Sequence, residues 1–303
     1  MSDHGTTASR CGLVAIVGRP NVGKSTLLNR ILGQKLSITS RKPQTTRHRI
    51  LGIKTNAAVQ AIYIDTPGLQ QKPTRAINRF MNREARSALL EVDLVLWVLE
   101  AGLFTEEDES VLEGLRQSQV PVIAVLNKID RLSDKGLLLP YLDTLSRRFA
   151  FAALLPVSAK QGQQIELLEQ TVAERLPLAD HLYGDEELTD RSERFLAAEL
   201  IREKIMRQLG EEIPYQVAVE IERFVVENEI VHINALIYVE REGQKKILIG
   251  QGGERLKRIG QEARLDMERL FGNRVMLTTW VKVKRGWSDD ERALKSLGYQ
   301  ERE

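Results

Sequence analysis

The sequence contains very little cysteine and no long hydrophobic run, and both absences restrict the classes of protein to which it can belong. Cys11 is the only cysteine among the 303 residues, so an intrachain disulfide is excluded and a reducing compartment is expected. The longest apolar runs, such as residues 94–99, are far shorter than the roughly 20 residues that a membrane-spanning helix needs. The first seven residues are polar, so no secretory signal is expected.

The composition is that of a folded protein with more than one domain. Hydrophobic residues make up 42% of the chain and charged residues 28%. A chain of 303 residues predicts about two domains. The net charge of +2 says nothing about the kind of binding partner. Basic residues nevertheless concentrate between Lys245 and Arg258 and again at residues 282–285. Such clusters are usually solvated faces, unless a neighbouring motif indicates a ligand.

A glycine-rich loop is the most informative motif of the chain. Residues 18–25 read Gly-Arg-Pro-Asn-Val-Gly-Lys-Ser, between a strand-like apolar run at 13–17 and a helical pattern. Glycines let backbone N–H groups close around phosphate, Lys24 can reach the β- and γ-phosphates, and Ser25 can ligate Mg²⁺. The alternative is an ordinary glycine-rich turn. The predicted phosphate-site residues are Gly18, Arg19, Pro20, Asn21, Val22, Gly23, Lys24, Ser25 and Thr26.

Two further motifs predict that the bound nucleotide carries guanine. Residues 127–130 read Asn-Lys-Ile-Asp after an apolar run, and the Asp130 carboxylate can accept hydrogen bonds from the guanine N1–H and 2-amino groups. Adenine would leave that carboxylate unpaired, which costs affinity. Alone, this motif could be a surface turn, but after a phosphate loop it favours GTP over ATP. Residues 158–160 follow a third strand-like run and can offer a backbone N–H to guanine O6. The predicted base-site residues are Asn127, Lys128, Asp130, Ser158, Ala159 and Lys160.

Two segments between these motifs are predicted to respond to the γ-phosphate. Residues 65–68 read Asp-Thr-Pro-Gly, in which the Asp can hold Mg²⁺ through water and the Gly N–H can sense the γ-phosphate. In the segment 43–47, spacing does not choose between Thr45 and Thr46 as a Mg²⁺ ligand, and we favour Thr46. His48 is expected to be exposed. The predicted metal ligands are Ser25, Thr46 and Asp65, the γ-phosphate motif is Asp65, Thr66, Pro67 and Gly68, and the predicted catalytic residues are Lys24, Asn21, Thr46 and Gly68.

A leucine follows Gly68 where Ras-type GTPases carry a glutamine that orients the attacking water. Leu69 cannot position water, so intrinsic hydrolysis is expected to be slow or to depend on another group. Asn21 can offer a side-chain oxygen to a monovalent cation, and we hypothesise that K⁺ there replaces an arginine finger. Equal hydrolysis rates in Na⁺ and K⁺ would contradict this hypothesis, and simple loop chemistry is the alternative role of Asn21.

The pattern of apolar runs divides the chain into two domains. Residues 10–178 alternate strand-like and helical patterns, which predicts an α/β phosphate-loop GTPase domain with a mostly parallel sheet between helices. Its motifs follow strand ends, where such sheets bind ligands. Residues 179–190 are acidic and punctuated by glycine, which predicts a linker. Residues 191–303 predict a smaller α+β domain with the order α-β-β-α-α-β-α. In the first domain, helices are predicted over residues 72–90, 105–117, 136–149 and 165–176.

A G-x-x-G turn between two helical segments of the second domain predicts a type II KH domain. Its glycines let the backbone approach about four nucleotides of single-stranded RNA, and cations flank the turn. The alternative is a small domain that docks protein, which would make the chain a GTP-regulated scaffold without RNA contact. Trp280 and Trp287 bracket the basic third strand, and packing is the favoured role for both. The predicted RNA contacts are Lys245, Lys246, Ile249, Gly250, Gln251, Gly252, Gly253, Arg255, Lys257, Arg258, Lys282, Lys284 and Arg285.

Along nearly its whole length the chain resembles the Era family of GTPases. The resemblance rests on the motifs at residues 18–25, 43–48, 65–68, 127–130, 158–160 and 249–253 and on the C-terminal block 280–299. It implies that GTP binding gates contact between the KH domain and the 3′ end of 16S rRNA during assembly of the 30S subunit. It also implies a cytoplasmic protein with a peripheral fraction at the inner membrane, although no anchor is evident in the sequence. A monomer is expected.

Overall fold

The structure is a computed structural model that describes residues 9–42, 44–68, 75–88, 91–209, 216–297 and 299. The chain forms two compact units. Unit one comprises Met1–Ser37, Thr46–Gln71 and Asn82–Asp190, and unit two comprises Ile38–Thr45, Lys72–Met81 and Arg191–Glu303. Unit two therefore includes two short segments from the first half of the chain. The domain limits 10–178, 179–190 and 191–303 stay predictions.

Unit one is built around one large sheet. Its strands are β1 (Arg10–Val17), β2 (Ile50–Asn56), β3 (Val59–Asp65), β4 (Leu94–Glu100), β5 (Val122–Asn127) and β6 (Ala153–Pro156). They are ordered β2-β3-β1-β4-β5-β6, and every neighbouring pair is parallel except the β2–β3 hairpin. The predicted mostly parallel sheet is confirmed. Strand β2 is the one that the apolar pattern does not reveal, because its second half, Lys-Thr-Asn, is polar.

The helices of the first half of the chain agree with the sequence pattern. Helices α1 (Lys24–Leu32), α3 (Glu106–Arg116), α4 (Leu138–Ser146) and α5 (Ile165–Ala173) lie within unit one. Helix α2 (Ala76–Ser87) is divided, because its residues up to Met81 belong to unit two. Helix α3 begins with a capping box between Thr105 and Asp108, which fixes its first turn. The helix predicted over 72–90 corresponds to α2, and residues 72–74 and 89–90 lie outside the described residues. Within the described ranges, none of the helices combines the length and apolarity that crossing a bilayer requires.

The central strands of unit one are buried on both faces. Alternate residues of β1 enter two separate apolar clusters, with Ile16 on the side of α1 and α5 and Ala15 on the side of α3. Trp97 of β4 lies in the second cluster and is fully buried. Burial of both faces explains why these strands read as continuous apolar runs.

The segment predicted as a linker, residues 179–190, is hydrogen-bonded to unit one. The Ile53 N–H of β2 donates to the Leu188 carbonyl at 2.8 Å. The fully buried side chain of Gln60 accepts a hydrogen bond from the Leu182 N–H at 2.8 Å. An acidic composition predicts that the segment is exposed to solvent. The hydrogen bonds to β2 and β3 instead hold it against the sheet of unit one, and the sequence does not reveal these contacts.

Unit two has the predicted order of elements. Its helices are α6 (Glu193–Gln208), α7 (Glu242–Ile249), α8 (Glu254–Phe271) and α9 (Glu291–Ser296), and its strands are β7 (Ala218–Glu227), β8 (Ile230–Val239) and β9 (Arg274–Val283). The β7–β8 pair is antiparallel, and β9 adds in parallel to β8. The order α-β-β-α-α-β-α is therefore confirmed.

The two tryptophans of unit two have different environments. Trp287 is buried, which confirms its predicted packing role, whereas Trp280 is 45% exposed and its predicted packing role is wrong. Side chains alternate between the two faces of β9, and Trp280 shares the outer face with Met276, which is 57% exposed. The sequence shows the alternation but does not show that this face is uncovered.

Candidate functional site

The phosphate loop connects the end of β1 to the start of α1. The Lys24 ammonium donates to the backbone carbonyl oxygens of Gly18 and Arg19 at 2.9 and 3.0 Å. Burial lowers the pKa of Lys24 from 10.5 to about 8, and the nearby Asp65 carboxylate only partly opposes this effect. A phosphate group would stabilise the charged form of Lys24. Asn21 is exposed at the turn of the loop, with φ of 63°.

The three predicted metal ligands lie within hydrogen-bonding distance of one another. Ser25 Oγ is 2.7 Å from Asp65 Oδ2 and 2.9 Å from Thr46 Oγ1. Asp65 is fully buried, and burial raises its pKa even though hydrogen bonds such as that from Ser25 oppose the rise. Its second oxygen, Oδ1, has no hydrogen-bond partner among the described residues. A buried carboxylate oxygen beside two hydroxyls fits Mg²⁺, which prefers oxygen ligands.

The two adjacent threonines have different surroundings. The Thr45 hydroxyl lies 2.6 Å from Ser40 Oγ, whereas the Thr46 hydroxyl faces Ser25. This geometry favours Thr46 over Thr45 as the metal ligand. His48 is 8% exposed, so its predicted exposure is wrong. Residues 46–48 are all buried, and polarity alone does not reveal that a charged segment enters the interior.

The motif at residues 65–68 packs against the phosphate loop. Thr66 Oγ1 donates to the Ile16 carbonyl at 2.9 Å. A Cβ atom at Gly68 would lie 2.9 Å from Pro20 Cγ, so the absence of a side chain allows this close approach. Gly68 therefore lies beside the phosphate loop, and its sensing of a γ-phosphate stays a prediction. Leu69, which follows it, lies outside the described residues.

The predicted base site is assembled from the ends of β5 and β6. Asn127 Nδ2 donates to the Val22 carbonyl at 2.9 Å, and Asn127 Oδ1 accepts from the Ala159 N–H at 3.0 Å. One side chain therefore joins the phosphate loop to the loop expected to meet guanine O6. Asp130 Oδ1 accepts from Ser158 Oγ at 2.6 Å, which orients the carboxylate. The geometry brings the two predicted base motifs together.

Two residues that the motif analysis missed brace this site. Arg30 of α1 donates to the carbonyl oxygens of Ala159 and Lys160 at 3.0 and 2.6 Å. Glu100, at the end of β4, is 2.7 Å from the Lys128 ammonium and 3.4 Å from the Arg19 guanidinium. Glu100 closes an apolar run at the strand end where ligands gather, so the sequence held a signal for it. No pattern indicates Arg30.

Glu100 is expected to stabilise nucleotide binding by tying the base loop to the phosphate loop. Burial alone would raise its pKa, but the hydrogen bond and charge of Lys128 and the charge of Arg19 outweigh burial and lower it. Glu100→Gln should raise the Kd for GDP and GTP about fivefold, because a partly exposed charged pair contributes about 1 kcal/mol. Dissociation of a fluorescent GDP analogue measures the effect. Glu109→Gln is the matched control, since Glu109 pairs with Arg116 and Arg148; equal Kd values for both variants would refute the bracing role.

A second candidate site is the glycine turn between α7 and α8. Gly250, Gly252 and Gly253 have φ values of 75°, 58° and 82°, all in the left-handed region. A Cβ atom at Gly250 would lie 2.8 Å from Arg255 Cβ, so glycine is required there for packing as well as for conformation. The turn borders a cleft of about 540 Å³ whose lining includes Arg207, Arg255 and Arg258.

The structure does not bring all the predicted RNA contacts to this cleft. Lys246, Gln251, Lys257 and Arg258 are exposed on the turn or its flanking helices. Lys282, Lys284 and Arg285 are not part of the cleft lining. Lys284 lies over the Tyr238 ring at 5.3 Å, and Arg285 borders a different cleft beside Glu240. Arg207, Gln208 and Glu254 also line the cleft and were not predicted. The sequence could not indicate the two α6 residues, because only the fold brings α6 next to the turn.

The chain matches two protein-family models. Residues 13–128 match the family described as 50S ribosome-binding GTPase, and residues 212–288 match the KH domain. The first range contains the phosphate loop and ends within the Asn-Lys-x-Asp motif, and the second contains the glycine turn. The two matches therefore coincide with the two candidate sites.

Known relatives are similar over nearly the full length of the chain. GTPase Era of Ectopseudomonas mendocina (strain ymp) is 62% identical over 291 residues, which cover 96% of this chain and 97% of the relative. GTPase Era of Pseudomonas aeruginosa (strain LESB58) is 60% identical over 299 residues, which cover 99% and 98%.

Two solved structures match with a TM-score of 0.92 at 37% identity, covering 96% of this chain and 99% of each solved chain. One is a variant of Aquifex aeolicus Era bound to GDP·AlF4⁻. The other is Era in complex with MgGDPNP and nucleotides 1506–1542 of 16S ribosomal RNA. The similarity in sequence thus extends to the fold of the whole chain.

Proposed function

This chain belongs to the Era family of GTPases and hydrolyses GTP, and we propose that its GTP cycle controls RNA binding by its KH domain during assembly of the small ribosomal subunit. The observation that carries the proposal lies in unit two. There, helix α6 binds Ile38–Thr45, the segment that ends immediately before Thr46. We call Ile38–Thr45 the switch segment.

Buried charged side chains of α6 hold the switch segment. Glu203 is fully buried, and its Oε1 accepts from the Thr39 N–H at 2.9 Å and from the Thr39 hydroxyl at 3.2 Å. Arg202, also buried, donates to the Thr45 carbonyl at 2.5 Å and pairs with Glu199 at 2.6 Å. Removing the partner of a buried charged side chain strongly destabilises a folded protein. The contacts of α6 with the switch segment are therefore expected to stabilise the folded state of unit two.

The switch segment continues directly into the predicted metal ligand. In the GTP state, Mg²⁺ would hold Thr46 on one side of the Thr45–Thr46 peptide bond, while Arg202 holds the other side. Loss of the γ-phosphate would release Thr46, and the freed segment would exchange its contacts with α6. The nucleotide state would thereby reach the RNA-binding unit through the chain itself.

The start of α2 offers a second route from the γ-phosphate motif to unit two. The Ala76 N–H donates to Asp289 Oδ1 at 2.9 Å. The Phe80 ring meets the Tyr299 ring edge-on, with centroids 5.7 Å apart. Helix α2 follows residues 65–68 in the chain, so reordering of that motif would alter contacts with the C-terminal block.

The proposed chemistry divides among a few residues of unit one. Ser25 and Thr46 would hold Mg²⁺ directly and Asp65 through water, and the bound ion would neutralise charge on the β- and γ-phosphates. Lys24 adds positive charge at the same phosphates, and Asp130 selects guanine. The K⁺ site at Asn21 stays a hypothesis that the comparison of Na⁺ and K⁺ tests.

The RNA partner is proposed from the cleft and from a relative. The glycine turn and three arginines of the cleft fit a phosphodiester backbone. An Era relative has been solved with nucleotides 1506–1542 of 16S rRNA. These observations support the 3′ end of 16S rRNA and the 30S subunit as partners. The exposed Trp280 and Met276 favour a second candidate function, the protein-docking scaffold.

The proposal predicts RNA binding that depends on the nucleotide. Fluorescence anisotropy with a pyrimidine-rich 3′-terminal rRNA oligomer should give tight binding with a non-hydrolysable GTP analogue. Binding should be about tenfold weaker with GDP, within the usual range of coupling between two sites. Gly252→Asp should weaken binding in both states, because a carboxylate would repel phosphate at the turn.

Asn228→Asp is the matched control for Gly252→Asp. Both positions are exposed and left-handed, with φ of 51° at Asn228 and 58° at Gly252, and both substitutions add one negative charge. The control should bind RNA like the unsubstituted protein. Weak binding in every nucleotide state would instead favour the docking scaffold. The cytoplasmic location, the peripheral membrane fraction and the monomeric state stay predictions.

A further inference from the structure

We propose that Arg207 is the side chain through which the switch segment and the RNA cleft communicate. This inference rests on the proposed function and names the residue that carries the coupling. Arg207 lies near the end of α6 and is 45% exposed along its side chain. It takes part in both features at once, since it lines the RNA cleft and binds the switch segment.

The cleft side of Arg207 is suited to phosphate. Among the residues that the structure describes, Arg207, Arg255 and Arg258 line the cleft together with one carboxylate, Glu254. Gly250 and Gln251 of the turn complete the wall that a nucleotide backbone would follow. A guanidinium is planar and rigid, so once some of its N–H groups are held by protein acceptors, the direction of the remaining N–H groups toward a phosphate is also fixed.

The switch segment fixes that orientation. Arg207 Nε donates to the Thr39 carbonyl at 3.0 Å, and Nη2 donates to the Thr39 hydroxyl at 2.8 Å. Nη2 also pairs with Glu203 Oε1 at 2.9 Å. The Nε and Nη2 groups are therefore both occupied, and within the described residues Nη1 makes no hydrogen bond. Nη1 remains available to a phosphate oxygen while the switch contacts persist.

Release of the switch segment would remove both Thr39 contacts. Arg207 would then keep only the Glu203 contact, and the guanidinium would regain rotational freedom. RNA would have to immobilise it again, which lowers affinity. By linkage, RNA bound at Arg207 stabilises the switch segment on α6 and so favours the GTP state. One arginine thus accounts for coupling in both directions.

The test compares RNA affinity in two nucleotide states for Arg207 variants of the full chain. The quantity measured is the ratio of the Kd with GDP to the Kd with a non-hydrolysable GTP analogue. Arg207→Ala should reduce a ratio of about tenfold to below about twofold, mainly by weakening binding in the analogue state. Arg207→Lys should restore only part of the ratio, because an ammonium lacks the planar fork.

Arg223→Ala is the matched control, since Arg223 is 49% exposed along its side chain and pairs with a glutamate four residues away, as Arg207 does. The control should keep the ratio of the unsubstituted protein. If Arg207→Ala weakens RNA binding equally in both nucleotide states, Arg207 is only a phosphate contact and the coupling role is overturned. If Arg207→Ala changes neither Kd, the coupling role is overturned as well.

Thr39→Val gives an independent test, because it removes the hydroxyl contact and leaves the cleft intact. It should lower the ratio in the same direction as Arg207→Ala, and an unchanged ratio would contradict the proposed route. Failure of the proposed function has a different signature. In that case the unsubstituted protein itself would show no difference between nucleotide states, whatever residue stands at position 207.

Discussion

Asp130→Asn should convert the protein from a GTP-binding to a xanthine-nucleotide-binding form. The carboxylate is expected to accept two hydrogen bonds from guanine, and each charge-assisted bond contributes about 1.5–3 kcal/mol. Loss of both should weaken GTP binding by roughly 10² to 10⁴-fold. An asparagine can donate to the 2-carbonyl of xanthine, so XTP binding should strengthen. Competition between XTP and GTP for a fluorescent nucleotide measures the change.

The substitution should leave the fold intact. Ser158 Oγ donates to Asp130 Oδ1 at 2.6 Å, and an asparagine oxygen can still accept this bond. Asp134→Asn serves as the control, since Asp134 is an exposed aspartate in the same region whose side chain accepts from the Gly136 N–H. The control should retain GTP binding. An unchanged preference for GTP in Asp130→Asn would remove Asp130 from the base site.

Gly23→Ala should disrupt both halves of the nucleotide site with one methyl group. Gly23 has φ of 104°, and a Cβ there would lie 2.3 Å from Asn127 Nδ2. Asn127 has little room to move, because it is 2% exposed and bonded to Val22 and Ala159. We expect the affinity for GDP and GTP to fall at least 10²-fold, which corresponds to a loss of about 3 kcal/mol of binding free energy. The free energy of unfolding without nucleotide should fall by about 2 kcal/mol.

Gly33→Ala separates backbone strain from the steric clash. Gly33 has φ of 69°, and a Cβ there would meet nothing within 4 Å. Gly33→Ala should therefore lower the free energy of unfolding only by the strain of a left-handed alanine, about 1 kcal/mol, and should leave nucleotide affinity unchanged. Urea unfolding and binding of a fluorescent GDP analogue measure the two variants side by side. Equal nucleotide affinity in both would show that Asn127 yields to the added methyl group.

Features that depend on local spacing could be predicted from the amino-acid sequence. Phosphate binding needs glycines, a lysine and a hydroxyl at fixed separations, so residues 18–25 identified the loop before its geometry was known. Hydrophobic alternation likewise predicted the order α-β-β-α-α-β-α of unit two, because the side-chain period of each element follows from backbone geometry. The guanine motifs were readable for the same reason, since parallel strands deliver their ends to one edge of a sheet.

Contacts between residues that are far apart in the chain became evident from the three-dimensional fold. Arg30 braces the base site from α1, and no local pattern pairs it with that site. Arg207 lies about 168 residues after Thr39, yet the two share hydrogen bonds. The sequence records each side chain's chemistry and period, whereas its burial and partners depend on packing between elements far apart in the chain. This is why His48 is buried and Trp280 exposed, contrary to expectation.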